Sequence, residues 1–278
     1  MENKYKLTEE SINYCGKILY HIEALKDFGN VKKGDKGGYV QSDENLSQEG
    51  NCWIYGDAKV YDNAQVYGDA VVFGNAQVYG NAKVYDNAKV YDDAYVCGYA
   101  IVSDNAVVYD SAVICDNAKV YDDAQVFGNA EVYDKAQVYG NALVYDKAQV
   151  FDNAKIYDNA QVYGNAILYD NAQVYDGAAV YGDAIVFDDA FVYENAIVCG
   201  NAQVCGTAEI KNNSDYIIFK NWWSSGRHFT WTRSNNMWKV GCFYGTGKEL
   251  IAKAYKDSEI SGREYERVVN YVEAIIRQ

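Results

Sequence analysis

The chain has 278 residues, 49% of them hydrophobic and 15% aromatic, a size that bounds it at one or two domains with a sizeable core. It contains 28 tyrosines and no proline, where average usage gives roughly 14 prolines, so few of its backbone positions need to do without an N–H. No apolar leader and no run long enough to form a membrane-spanning helix appears, which makes a soluble, cytoplasmic protein with no membrane partner the expectation.

The formal charge of −14 is unevenly placed. Residues 54–210 hold 7 Lys, no Arg and 23 acids, a net −16, whereas residues 211–278 hold 11 basic and 7 acidic groups, a net +4. The middle is expected to repel nucleic acid, and the end to tolerate an anion. The seven cysteines (15, 52, 97, 115, 199, 205 and 242) form no C-x-x-C pair and no regular framework, which argues against a secreted disulfide scaffold.

Residues 1–53 carry apolar clusters separated by Gly-rich turns, "ILYHIEALKDFGNVKKGDKGGYVQSDENLSQEGNCW", and run without a linker into a repeat. This segment reads as an N-terminal cap. From Ile54 to Ile210 an aliphatic residue then recurs at every sixth position, 27 in all, and Ala stands four residues after each of the first 26, from Ala58 to Ala208. The unit is V-Y-[GD]-[ND]-A-x. Such strict periodicity marks a solenoid, in which each unit buries its face only against copies of itself. A-x-V-Y reads as a short strand with Ala and Val inward and the intervening Lys or Gln and the following Tyr outward. The [GD]-[ND] pair is the corner, where Gly, Asp and Asn tolerate positive φ. Three such sides make a triangular β-helix with about 18 residues per coil. Gly at the first corner position is concentrated on one side, at 56, 74, 128, 164, 182 and 200, which supports the three-sided count. Nine coils give a prism roughly 40 Å long.

An aliphatic residue followed four places later by a small one resembles the hexapeptide-repeat, left-handed β-helix family, although this chain has aromatic residues where that family usually has small or acidic ones. The leader, with "ALKDFGNV", "GGYV" and "NLSQEGNCW", resembles a group of bacterial and phage hexapeptide-repeat proteins over about residues 18–210. The resemblance implies the coil and a phage or prophage origin, but transfers no activity.

After residue 210 the composition shifts to "DYIIFKNWWSSGRHFTWTRSNNMWKVGCFYGTGKEL". Strands are predicted at 215–220, 227–233 and 237–244, followed by two helices with capping-box spacing at Thr246/Glu249 and Ser261/Glu264. Tyr265, Val268, Val269, Val272, Ile275 and Ile276 form one apolar stripe. Residues 211–278 thus read as a small α+β domain of βββαα order.

Four kinds of chemistry are legible. Arg227, His228, Arg233, Lys239 and Lys248, with Trp222 and Trp223, could contact an anionic or aromatic ligand, although a domain this small needs most of its Trp for packing. Gly245, Gly247 and Lys248 have a phosphate-loop flavour, but the spacing departs from the Walker pattern, and a turn with a helix cap accounts for it better. Tyr67, Tyr85, Tyr121, Tyr139, Tyr157 and Tyr175 should stack as a surface ladder that partners or further copies can use. Cys97 and Cys115, 18 apart, should be stacked on neighbouring coils; small replacements for Tyr account for them better than metal ligands or a disulfide.

The resulting expectation is a non-enzymatic interaction or sequestering protein. Its partner is a protein or a small anion, such as a host defence component or its nucleotide signal, with homo-oligomerisation open. No cofactor, metal or catalytic residue is assigned. Two alternatives are an acidic mimic of nucleic acid that inhibits a DNA-binding protein, and an acyltransferase, for which only His21 and His228 are available as bases.

Overall fold

Six residues that must also turn a corner leave room for only two in a strand. The computed structural model, which describes residues 3–276, contains 27 such two-residue strands, from β4 (Trp53–Ile54) to β30 (Glu209–Ile210). Each of the first 24 pairs in parallel with the strand 18 residues on, as in Lys59↔Gln77 and Val60↔Val78, so three hexads close one coil. The strands sort into three faces: face one begins at Lys59–Val60, face two at Trp53–Ile54 and face three at Gln65–Val66. The solenoid expected from the repeat is therefore present, with a small domain of one sheet and two helices after it.

The second residue of every strand points inward. All the hexad aliphatics from Ile54 to Ile210, and all the sixth-position alanines from Ala58 to Ala208, are 0–1% exposed. The interior is a continuous column in which Val and Ala alternate around each coil.

The corners explain why Asp and Gly interchange. The first corner residue is left-handed, with φ of 58° at Asp122 and 73° at Gly164. That conformation costs an L-residue about 1–2 kcal/mol, least for Gly, Asn and Asp. Asp has a compensation that Gly lacks: its carboxylate accepts the backbone N–H one coil on, as Asp122 does from Gly140 (3.1 Å) and Asp188 from Gly206 (2.9 Å). At the second corner position Asn side chains form ladders, with the Asn87 amide donating to Asn105 (3.2 Å) and Asn105 to Asp123 (3.0 Å).

Both ends of the stack are covered. Residues 5–40 add β1 (Tyr5–Tyr14), β2 (Lys17–Ala24) and β3 (Lys36–Val40) to face one, antiparallel to one another, with β3 then parallel to β5 (Lys59–Val60). The Gly-Gly of "GGYV" is required here: a Cβ at Gly37 would lie 2.6 Å from Ile22, and one at Gly38 2.6 Å from the Ala58 carbonyl. The buried Lys4 ammonium closes the first coil by donating to the carbonyls of Glu49 (3.2 Å) and Cys52 (3.0 Å).

At the other end the problem is reversed. In the rungs, residue i donates to the carbonyl of residue i+17, as Lys59 does to Ala76 (2.9 Å). The last coil has no successor. Its N–H groups donate instead to side-chain oxygens of the following domain: Ile197 to Asn213 (2.8 Å), Cys199 to Tyr216 (3.3 Å), Gln203 to Thr230 (2.9 Å) and Glu209 to Ser234 (2.7 Å). Side-chain acceptors satisfy the edge without offering a strand for another stack to extend.

That domain has four strands where three were expected: β31 (Tyr216–Lys220), β32 (His228–Thr232), β33 (Met237–Val240) and β34 (Phe243–Gly245), antiparallel in that order. Gly241, at φ 54°, turns the chain in the middle of the predicted third strand. Helix α1 (Gly247–Asp257) has the expected Thr246/Glu249 capping box. The second expected box is absent: Ser258 precedes α2 (Glu259–Ile276) and its hydroxyl accepts from the Ser261 N–H (3.1 Å), which places Ser261 inside the helix. From the apolar stripe, Tyr265, Val269 and Val272 are buried against Phe229, Trp231 and Trp238.

Candidate functional site

Each face ends in a column of aromatic rings. Because coils repeat every 18 residues, Tyr121, Tyr139, Tyr157 and Tyr175 stand above one another beside face three, with ring centroids 4.8–5.0 Å apart and planes within 4° of parallel. Tyr67 and Tyr85 stack in the same way (4.8 Å) in the same column, and Ser103 interrupts it between Tyr85 and Tyr121. The six ladder tyrosines thus share one rib. They lie outside the core, on the outward side that the strand pattern predicted. The rings are half-buried, and the Tyr121 and Tyr157 hydroxyls donate back to Gln137 and Gln173 on face three (3.4 Å each). Burial, then the neighbouring phenols, pushes the ionisation of Tyr121 and Tyr157 up to about 12.

The rib beside face two is unbroken from Phe73 to Tyr181. Beside face one, Cys97 and Cys115 replace two rings. Read from the sequence as unpaired substitutes for Tyr, they are joined in the structure as a disulfide, because the coil brings their Cα atoms to 4.6 Å, inside the range such a bond requires.

The polar candidates of residues 211–278 separate into different roles. Arg233 faces Asp215 at 3.8 Å and ties the start of the domain together. The Lys239 ammonium lies 5.1 Å from the ring centre of Phe187 on the solenoid, holding the domain to the shaft. Lys248 is exposed in the first turn of α1 and lines neither cavity described below. Trp223 packs edge-on against Tyr265 (5.0 Å) as part of the domain core, whereas Trp222 is 75% exposed.

Arg227 and His228 are the two that come together. They line a cavity of about 280 Å³ at the junction with the last coil, along with Asp183, Asn201 and Gln203. Arg227 also borders a second cavity of about 340 Å³, between β33, β34 and the helices, to which Lys253, Asp257, Ser261 and Tyr265 contribute. The helix residues were not among the sequence candidates; Tyr265 carried only the signal of a core position. The other histidine, His21, has its Nδ1 2.7 Å from the Gly37 carbonyl and its ring on Tyr39 (3.9 Å), a packing role in the N-terminal cap.

Comparison with known proteins agrees with the architecture. The family described as "YdcK Beta solenoid repeat" matches residues 64–80, 136–152 and 160–176. The chain is also similar to a protein of Escherichia coli (strain K12) described as "Uncharacterized acetyltransferase YdcK", at 38% identity over 60 residues. That similarity spans 19% of this chain and 18% of the relative's length. The coils and these matches together make the chain a β-solenoid repeat protein.

Proposed function

We propose that the protein is a non-enzymatic binding scaffold, in which the rigid capped shaft presents repeated rungs to a protein partner and the C-terminal domain adds specificity. The observation that carries this reading is the Tyr121–Tyr175 rib: four chemically identical rungs at 4.8–5.0 Å intervals. Aromatic rings held half-buried have little side-chain entropy left to lose on binding, and a repeated rung lets weak contacts add up. Exposed Trp222, beside this array's cap, has the character of an interface anchor.

The nucleic-acid mimic is less well supported by the geometry. Mimicry needs carboxylates displayed outward like phosphates. Instead, many first-corner Asp carboxylates accept an amide of the next coil, as at Asp110, Asp122, Asp146 and Asp188. An acyl-transfer reading follows the description of the E. coli relative and has one feature in its favour, His228 at the junction cavity. Its discriminator is whether acyl-coenzyme A binds and whether His228→Ala abolishes turnover.

Affinity capture from a bacterial lysate tests the scaffold reading. The wild type is expected to retain a partner that the Tyr139→Ser/Tyr157→Ser double variant loses, with unchanged circular dichroism. Capture of the same proteins by both, or of none by the wild type, rules the reading out.

A further inference from the structure

We infer that the larger C-terminal cavity is a binding site for a small organic phosphate monoester. The inference rests on the C-terminal domain being the specificity element of the scaffold, and it names the chemistry that element would recognise.

The cavity holds donors that no described residue satisfies. The Tyr265 side chain is 8% exposed, and its oxygen accepts the Asn221 amide (3.0 Å). Its own hydrogen has no acceptor among the described residues, and Tyr265 lines the cavity together with Asn221. A buried hydroxyl left with an unspent hydrogen costs stability unless something supplies an acceptor. Arg227 and Lys253 enter the same space from β32's approach and from α1. Neither the guanidinium nor the ammonium makes a hydrogen bond or ion pair among the described residues. The hydroxyl of Ser261 is a further donor, and Asp257 is the one carboxylate on the wall.

Three donors around one solvent-open cavity favour an oxyanion. Arg supplies a planar fork and Lys a point charge, the pair best suited to the several acceptor oxygens of a phosphate. Val240, Phe243 and Leu250 make part of the wall apolar, which favours an organic group attached to that anion, while Asn221, Ser224 and Ser225 add polar groups. At about 340 Å³ the space lies at the small end of ligand pockets. Sequence reasoning placed a small anion in this domain through Arg227, His228, Arg233, Lys239 and Lys248. The geometry keeps only Arg227 from that set and replaces the others with Lys253 and Tyr265.

Titration of the intact protein with phenyl phosphate, inorganic phosphate and benzoate tests the assignment, read by calorimetry and by intrinsic tryptophan fluorescence, to which Trp223, packed on Tyr265, contributes. Phenyl phosphate is expected to bind more tightly than either of the other probes. Arg227→Gln and Lys253→Gln should each weaken it by about tenfold or more, as expected for the loss of a charged hydrogen-bond donor. Lys248→Gln should leave it unchanged. Both charged side chains are exposed and unpaired, so these variants should fold as the wild type does. No binding of phenyl phosphate, equal binding of benzoate or of inorganic phosphate, or indifference to Arg227→Gln and Lys253→Gln would each overturn the assignment. None of these results depends on a protein partner, so failure here is separable from failure of the scaffold reading.

Discussion

Asp122 offers a quantitative test of how the corners are built. Its backbone is left-handed at φ 58°, and its carboxylate accepts the Gly140 N–H at 3.1 Å one coil on. Two effects oppose each other when it is replaced. Losing the bond costs about 1 kcal/mol at this exposed site, toward the low end for a charged acceptor. Ala or Val must also take up the left-handed backbone, at about 1–2 kcal/mol, with the β-branched residue worse. Gly loses the bond but gains a backbone that suits it. Asn keeps both a tolerant backbone and a neutral acceptor. The expected destabilisation therefore rises in the order Asn, Gly, Ala, Val, from about 0.5 to about 3 kcal/mol. Urea midpoints at constant slope measure the series, and hydrogen exchange at the Gly140 amide should accelerate in every variant except Asn. If Ala proves no worse than Gly, the left-handed corner is not what selects Asp, and the reasoning is wrong.

Other consequences follow from the core, the rib and the end of the stack. Val144 is fully buried, and Val144→Ala should cost about 2 kcal/mol, since two methyl groups are lost and hydrogen-bonded rungs cannot collapse into the space; a change below about 0.5 kcal/mol in chemical denaturation would contradict the packing. Tyr121 and Tyr157 ionise near 12 in the fold and near 10 when unfolded. Their contribution to stability is therefore complete below pH 10 and lost as pH rises through 12. The phenolate absorbance lost in Tyr121→Phe/Tyr157→Phe, taken as a difference from the wild type, should accordingly appear together with loss of the β-sheet circular dichroism, and a difference centred at pH 10 in the still-folded protein would refute this. Thr230→Val leaves the Gln203 N–H without its 2.9 Å acceptor. It should cost about 1–3 kcal/mol and, combined with Ser234→Ala, promote end-to-end association visible by sedimentation.

The shaft was legible because every coil solves the same problem with the same letters. An inward Val, an inward Ala and a corner that accepts positive φ recur without interruption, so the local pattern already implied the stack. The rest depended on distances that periodicity does not encode. The bond between Cys97 and Cys115 required knowing how closely two stacked corners approach. Lys239 was read as a ligand contact because its partner, Phe187, lies on the last full turns of the shaft, far away in sequence. The alternation in 237–244 concealed the turn at Gly241, and Ser258 displaced Ser261 as the helix start because an equally good cap lay three residues earlier. Tyr265 looked like one more apolar stripe residue; that it lines a cavity with Arg227 emerges only when α2 is packed against the sheet.

The claim beneath all of this is that positions 18 residues apart, and not 6 or 12, are neighbours on the surface. Oxidation of engineered cysteine pairs measures it directly. The double variant Tyr139→Cys/Tyr157→Cys, whose rings are 5.0 Å apart in the native chain, should form a disulfide in air, detected by peptide mapping without reduction. Tyr139→Cys/Tyr145→Cys and Tyr139→Cys/Phe151→Cys should stay reduced under the same conditions. Cross-linking at the shorter spacings, with none across Tyr139 and Tyr157, would contradict the coil and every surface built on it.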